Sequence, residues 1–389
     1  MTRFDVAVVG GGMMGAPCAR HLAEAGHRVA LIAAPEPAVP AESHGPFGSH
    51  FDAARITRRV ASDPDWSLAA RRSIARYRDL EVRSGLRIFH EVGALMAGPA
   101  GGPLAGWTDD VLAIAATLDD PPETLDAAGA GDRLGLALPP GSRAVHERRD
   151  AGWIDPRALR EAETRLAVAA GATLVAQAAA GRDGTTTILA DGTRIEAGHL
   201  VVATGPHAAS DGLLPRVPAM NVWARTIAFA RLSEAEGARL AAMPSVIFVP
   251  EGWDHDLYVL PPVRYPDGRL YLKIGGQLDG PQVRDAAEMR DWFHGPGDPE
   301  VGARLLDQLH RLVPGLAVEA TLTGPCAVAW TETGHPYIAP AGDGVTVLCG
   351  GNGAAAKSGD ELGRIGALVA QGGDPRAEGY AQGFTAVWA

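Results

Sequence analysis

Between residues 4 and 32 the chain reads FDVAVV, then GGGMMG, then a helical stretch closed by Gly26, then RVALI. The short apolar run at 4–9 fits a strand buried on both faces. In residues 16–25, Cys18, Ala19, Leu22 and Ala23 recur at helical spacing. A strand, a glycine loop, a helix and a second strand in about thirty residues open a doubly wound α/β sheet. Gly10, Gly12 and Gly15 fit GxGxxG. The first glycine turns tightly, the second lets backbone N–H groups approach a pyrophosphate, and the third lets helix pack on strand, with the helix N-terminus facing the anion. Met14 sits inside this loop. The acidic residue that usually holds the adenosine ribose is missing: Ala33 and Ala34 follow the second strand, and Glu36 is the nearest candidate.

At 389 residues the chain has length for about two domains. No apolar run reaches the roughly 18 residues of a membrane span. The apolar strand begins so early that no basic-then-apolar leader is expected. The net charge of −11 argues against non-specific nucleic-acid binding. Cys18, Cys326 and Cys349 form an odd, widely spaced set with no CxxC pair and no zinc-type cluster. This predicts no metal site and a reduced, cytoplasmic protein. Of 35 basic residues 33 are arginine, and the two lysines are Lys273 and Lys357. Where arginine fills nearly every basic position, a retained lysine points to a need for a compact ammonium or one that can lose its proton.

Further along, helices are predicted at about 63–84, 156–170, 300–313 and 357–370, and strand-like sequence at 88–96. Residues 97–150 read as helices and loops. Residues 185–203 form a hairpin turning at Asp191-Gly192 and leading into Thr204-Gly205. Residues 216–280 are strand-rich, and 345–349 form another apolar strand before Gly350–Lys357. A hairpin returning a loop to the cofactor favours FAD over NAD. The expected fold is α/β, an FAD-binding Rossmann-like domain intertwined with a β-rich substrate domain of mixed sheet plus helices. Residues 1–85, 150–215 and 321–389 are assigned to the first, and 86–149 and 216–320 to the second.

Six separated motifs support a family resemblance. They are the glycine loop; Gly48-Ser49-His50 with Arg55-Ile56-Thr57-Arg58; Tyr258-Val259-Leu260-Pro261; Leu272-Lys273-Ile274-Gly275; Pro325-Cys326 followed by Thr331 and His335-Pro336-Tyr337-Ile338; and Gly351-Asn352-Gly353 with Lys357 and Gly363. In this order they resemble the monomeric sarcosine oxidase and N-methyltryptophan oxidase family of FAD-dependent amine oxidases. The resemblance implies a flavin attached through a thioether at Cys326. It implies Lys273 over the flavin face as the site where O2 is reduced, and Lys357 as a partner of the substrate carboxylate together with Arg55. Arg58, one helical turn on, is a further candidate near the flavin, and Tyr258 would line the substrate pocket. Ser49, Thr204, Gly205, Gly351 and Gly353 would complete the cofactor cradle.

Three departures stand out. Gln277 replaces the histidine four residues after the flavin-facing lysine, and Val328 replaces the tyrosine two residues after the cysteine. Two extra residues precede Lys357. The first two enlarge the pocket and reduce its polarity, favouring a bulkier N-alkyl or cyclic amino acid over sarcosine. The expected protein is a monomeric oxidase of a secondary amine using O2 and releasing H2O2. Two alternatives are a flavin dehydrogenase on the same fold, acting on an amine or 2-hydroxy acid with another acceptor, and a catalytically inactive flavin-fold binding protein.

Overall fold

The structure is a computed structural model that describes residues 3–37, 43, 45–48, 50–278 and 280–389. Its first layer is a six-stranded sheet in the order Tyr337–Gly342, Val345–Cys349, Ala197–Val202, Phe4–Val9, Val29–Ile32 and Thr173–Val175. All neighbours are parallel except the Tyr337–Gly342 edge, which pairs antiparallel with Val345–Cys349. Val29–Ile32 and Val345–Cys349 are buried along their whole length. An apolar run without alternation is what a parallel strand covered on both faces requires.

Helices Gly15–Glu24, Pro64–Ser84, Pro156–Ala169 and Ala355–Ala370 cover one face. Val8, Leu22, Leu31, Val201 and Ile365 form part of the core beneath them. Local chemistry sets the helix ends. Asp63 accepts from Trp66 N at 2.9 Å with Pro64 at the first position, and Gly85 closes the helix at φ 72°. Asp155 and Pro156 start the next helix in the same way.

A buried ion network clamps Ala355–Ala370 to its neighbours. Arg20 binds Glu163 and Asp360, while Arg76 binds Asp360 and, at 2.6 Å, Glu361. Glu361 also takes Arg364 at 2.8 Å and the Tyr380 hydroxyl at 2.9 Å. Removing one partner of such a set strands a buried charge, so the helix carrying Lys357 is held in a fixed register.

The second layer is a nine-stranded sheet. Its path runs Gln282–Val283, Met220–Leu232, Leu270–Gly276, Leu257–Arg264, Ser245–Phe248, Ala94–Pro99, Ser142–Glu147 and Glu123–Asp126. The ninth strand, Ala320–Thr331, pairs antiparallel with Met220–Leu232 from Met220↔Thr331 to Arg231↔Ala320.

Three expectations need correction. Residues 97–150 hold two strands of this sheet, Glu123–Asp126 and Ser142–Glu147, as well as helices. The segment expected to begin the last part of the nucleotide-binding set, residue 321 onward, instead starts inside a strand of the larger sheet, because its long ladder with Met220–Leu232 holds it there. The hairpin turning at Asp191-Gly192 forms between Thr186–Leu189 and Arg194–Ile195, with Gly192 at φ 86°, while the rest of the segment read as hairpin, Ala197–Val202, is instead a parallel strand of the six-stranded sheet.

Candidate active site

A cavity of 1410 Å³ lies between the two sheets, at the carboxyl ends of Phe4–Val9 and Val29–Ile32. That exceeds the roughly 300–1,000 Å³ of an ordinary ligand pocket, leaving room for a dinucleotide and a small substrate together. The glycine loop forms one wall. Gly10 has φ +105°, its N–H donates to Ile32 O at 2.9 Å, and an added Cβ would overlap the Ala203 carbonyl. A Cβ on Gly15 would overlap the Gly10 carbonyl, whereas one on Gly12 meets nothing within 4 Å and would extend into open space. The loop is therefore tight against its own backbone and open toward the cavity, a cradle that fits a pyrophosphate at the start of Gly15–Glu24.

The other expected cofactor residues divide. Met14, Thr204, Gly205, Gly351 and Gly353 line the cavity. Thr204 donates its hydroxyl to Asp211 at 2.5 Å, and Asn352, between the two glycines, accepts from Thr331 N at 2.9 Å and donates to Gly350 O at 2.7 Å. Glu36 accepts from Arg157 Nε at 2.5 Å, so its carboxylate is already in an ion pair. Ser49 lies outside the described residues. His50 beside it is buried at 7% exposure and lines the cavity, and among the described residues its Nδ1 has no hydrogen-bond partner. Burial and the neighbouring Arg160, Arg157 and Arg55 push its imidazole down to about 3, so it is neutral.

The three cysteines separate by burial. Cys18 and Cys349 are fully enclosed and burial pushes both thiols up to about 12. Cys326 is half-buried and faces the cavity, in register with Arg225, which also lines it. Trp292 Nε1 donates to the Cys326 carbonyl at 2.8 Å and fixes the strand there. Tyr258, Gln277 and Val328 line the same cavity. Gly275, in register with Tyr258, leaves the space that the phenol fills.

The four expected cations fall into two pairs. Lys273 is 1% exposed and sits behind the wall that Arg55 and Tyr258 form. Its Nζ donates to Asp52 Oδ2 and to the Ala54 carbonyl, both at 2.6 Å, and lies 5.9 Å from the Tyr258 ring centre. Arg55 donates to the same Oδ2. Burial and then Arg55 push the Lys273 ammonium well below its ordinary range, with Cys326 acting the other way, and the ammonium is in ion-pair contact with Asp52.

Arg55 and Arg58 diverge. Arg55 opens the strand Arg55–Thr57 and Arg58 follows it, and on extended chain successive side chains alternate sides, so residues three apart point in opposite directions, although both arginines still reach the cavity lining. Arg58 donates Nη1 to Val60 O at 2.7 Å, and among the described residues its Nε has no hydrogen-bond partner. Its charge lowers the affinity of Lys357 for its proton, with burial the larger cause. Lys357 is 4% exposed, donates to Trp66 O at 3.1 Å, and lies 5.7 Å from the Trp66 ring centre. Among the described residues neither Arg58 nor Lys357 has a carboxylate in ion-pair contact, whereas Arg55 and Lys273 share one. Asp52 and Tyr265 are site residues that the sequence reading did not single out, and His50 entered there only as part of Gly48-Ser49-His50, without a role. Asp52 and His50 lie in the very segment that carries Arg55, which was the available signal.

No group of three or more His, Cys, Asp or Glu among the described residues could hold a metal ion. No helix among them is long and apolar enough to cross a membrane.

A search of curated proteins finds no match. Among solved structures, the open form of NikD, "an unusual amino acid oxidase essential for nikkomycin biosynthesis", superposes with a TM-score of 0.75 at 23% identity, covering 100% of this chain and 98% of that one. L-Proline dehydrogenase from P. horikoshii gives 0.72 at 16% identity, covering 95% and 94%. Iminodiacetate oxidase from Chelativorans sp. BNC1 gives 0.69 at 21% identity, covering 95% of each. At these identities the likeness establishes the fold. The model of the DAO family, "FAD dependent oxidoreductase", matches residues 5–368. With nearly its whole length inside that match and a glycine cradle shaped for a dinucleotide, the chain belongs to the DAO family of FAD-dependent oxidoreductases.

Proposed function

We propose that the chain oxidises a secondary amine bearing a carboxylate, an N-alkyl or cyclic amino acid, and returns the electrons to O2 as H2O2. One observation carries this reading. Of the chain's three cysteines the half-buried one, and of its two lysines Lys357, line the cavity that also receives the glycine loop, and Lys273 sits just behind its wall, bonded to the lining residue Asp52. A flavin held by the glycine loop and Cys326 would supply the redox chemistry, a hydride acceptor for the carbon next to nitrogen and a two-electron donor to O2.

The chain's own residues supply position and field. Gly12 opens the loop's backbone to the pyrophosphate, while Gly10, whose N–H is bonded to Ile32 O, and Gly15 allow the tight packing that shapes the loop. Cys326 is the thiol available for a thioether to the flavin ring. The substrate carboxylate is assigned to Lys357 and Arg58, instead of the Lys357 and Arg55 expected, because Arg55 is already engaged by Asp52. Tyr258 packs against the substrate body, and Gln277 and Val328 leave it room. Holding the amine by its carboxylate turns an encounter into a fixed approach, and no side chain need act as a strong base. Three free cysteines fit a reducing, cytoplasmic setting, and we take the working unit as a monomer.

The test is peroxide release from a panel of secondary amino acids, with matched amines lacking the carboxylate. Turnover of neither group refutes the reading. A second reading, a dehydrogenase passing electrons to another acceptor, is favoured by the carboxylate that Lys273 already holds. Substrate-dependent reduction of a dye without oxygen uptake would select it.

A further inference from the structure

We infer that Asp52 is a positioning residue of the oxygen-side wall: one carboxylate binds the Lys273 ammonium and the Arg55 guanidinium together and keeps Lys273 charged where water cannot. The inference rests on the oxidase reading only for what that charge is used for.

Asp52 is 7% exposed and is satisfied on both oxygens. Oδ1 accepts from Ala53 N at 2.7 Å and from the Tyr265 hydroxyl at 3.1 Å. Oδ2 accepts from Lys273 at 2.6 Å and from Arg55. Four donors, two of them cationic, favour the ionised carboxylate strongly. Among the described residues Lys273 has no other carboxylate in ion-pair contact. Its strand neighbours in register are Phe229 and Leu260. The groups that face it from other elements are Asp52 and Arg55, Tyr258 across the ring contact, and Cys326 within electrostatic range. A buried ammonium with only carbonyl and aromatic partners gives up its proton. Asp52 prevents this, and by holding Arg55 as well it keeps that guanidinium away from the substrate carboxylate.

The two-lysine composition makes the test direct. Protein labelled with lysine carrying 13C at Cε gives two side-chain signals, assigned through Lys357→Met. In the wild type the Lys273 signal should report a charged group through pH 8. A Lys273 neutral at that pH overturns the inference without any variant. In Asp52→Asn its proton affinity should fall about tenfold or more, and Asp52→Glu should restore most of it. An Asp52→Asn protein of unchanged melting temperature whose Lys273 titrates as in the wild type also overturns it. Reoxidation of the reduced enzyme by O2, followed against pH, then separates the two readings. If Lys273→Met leaves that rate unchanged, the oxygen role fails while the NMR result on Asp52 stands. If Lys273→Met slows it, Asp52→Asn should lose rate at a lower pH than the wild type.

Discussion

Gly12→Ala separates the cofactor cradle from the fold that builds it. An added Cβ at Gly12 meets nothing within 4 Å, and the residue lines the cavity. The free protein therefore has no steric reason to object, and loss of unfolded-state freedom stabilises it by about 0.4–1 kcal/mol. With FAD bound the same methyl occupies the approach of the pyrophosphate. Losing one charge-assisted hydrogen bond costs about 1.5–3 kcal/mol, a weakening of about 10- to 150-fold. Gly10→Ala is the contrasting change. At φ +105° an L-residue pays about 1–2 kcal/mol, and its Cβ overlaps the Ala203 carbonyl, so the free protein itself should melt lower. Both variants belong in a Cys326→Ala background, so that affinity is an equilibrium quantity. Quenching of flavin fluorescence gives Kd and thermal melts of the FAD-free proteins give stability. A Gly12→Ala protein that binds FAD within twofold of its parent would refute the assignment of the pyrophosphate to this loop.

Other outcomes follow from the same geometry. Acid-precipitated wild-type protein should keep its yellow colour in the pellet, and Cys326→Ala should release it, since Cys18 and Cys349 are enclosed. Lys357→Met should raise KM for a carboxylate-bearing amine about 10- to 100-fold, the range of one lost charge-assisted hydrogen bond, with little change for an amine lacking the carboxylate. His50 gives a stability signature in the FAD-free protein. Its imidazole, pushed down to about 3, stays neutral in the fold while the unfolded chain takes a proton below its ordinary value near 6.5. Stability from this group is thus present above pH ~6.5 and lost as pH falls toward 3, about 2 kcal/mol between pH 7.5 and 5 by linkage. Urea denaturation at the two pH values measures it, and a difference equally large in His50→Asn would reject the assignment.

What was legible in the sequence was whatever sterics or rarity marks. The glycine loop could be read because few backbones need glycine at those three positions, and the parallel strands because burial on both faces demands unbroken apolar runs. Ser142–Glu147, by contrast, reads SRAVHE, a strand whose Arg143, His146 and Glu147 hide its pattern until the sheet that buries Glu147 is known. The lysines were marked by rarity. Asp52 was not, being one of 46 acidic residues with nothing in its neighbours to say that it is enclosed. Arg55 and Arg58 show a third kind of limit. Three residues apart, they point together on a helix and apart on a strand, and the motif alone does not decide which.

That last difference determines how charge is divided in the cavity. Had Arg55 and Arg58 shared one face, four cations would have crowded a single anion site and Asp52 would have neutralised part of it. The strand sends Arg55 to Lys273 and Asp52, where three charged groups sum to a single positive charge held by the protein itself. It sends Arg58 toward Lys357, where, among the described residues, neither side chain has a carboxylate in ion-pair contact, Arg58 Nε lacks a hydrogen-bond partner, and burial and Arg58 weaken the hold of Lys357 on its proton. Glu147, Asp63 and Asp256 act on these groups only from a distance, and an anion in direct contact would favour their charged forms. A substrate carboxylate supplies that anion at the second site and meets competition from Asp52 at the first. Exchanging the two arrangements, by Asp52→Asn with Lys357→Met, should therefore shift carboxylate binding toward Arg55 and not abolish it: KM should recover part of the loss seen in Lys357→Met alone. A double variant no better than Lys357→Met would mean that Asp52 does not guard Arg55, and that the two cation pairs are not in competition for the same substrate group.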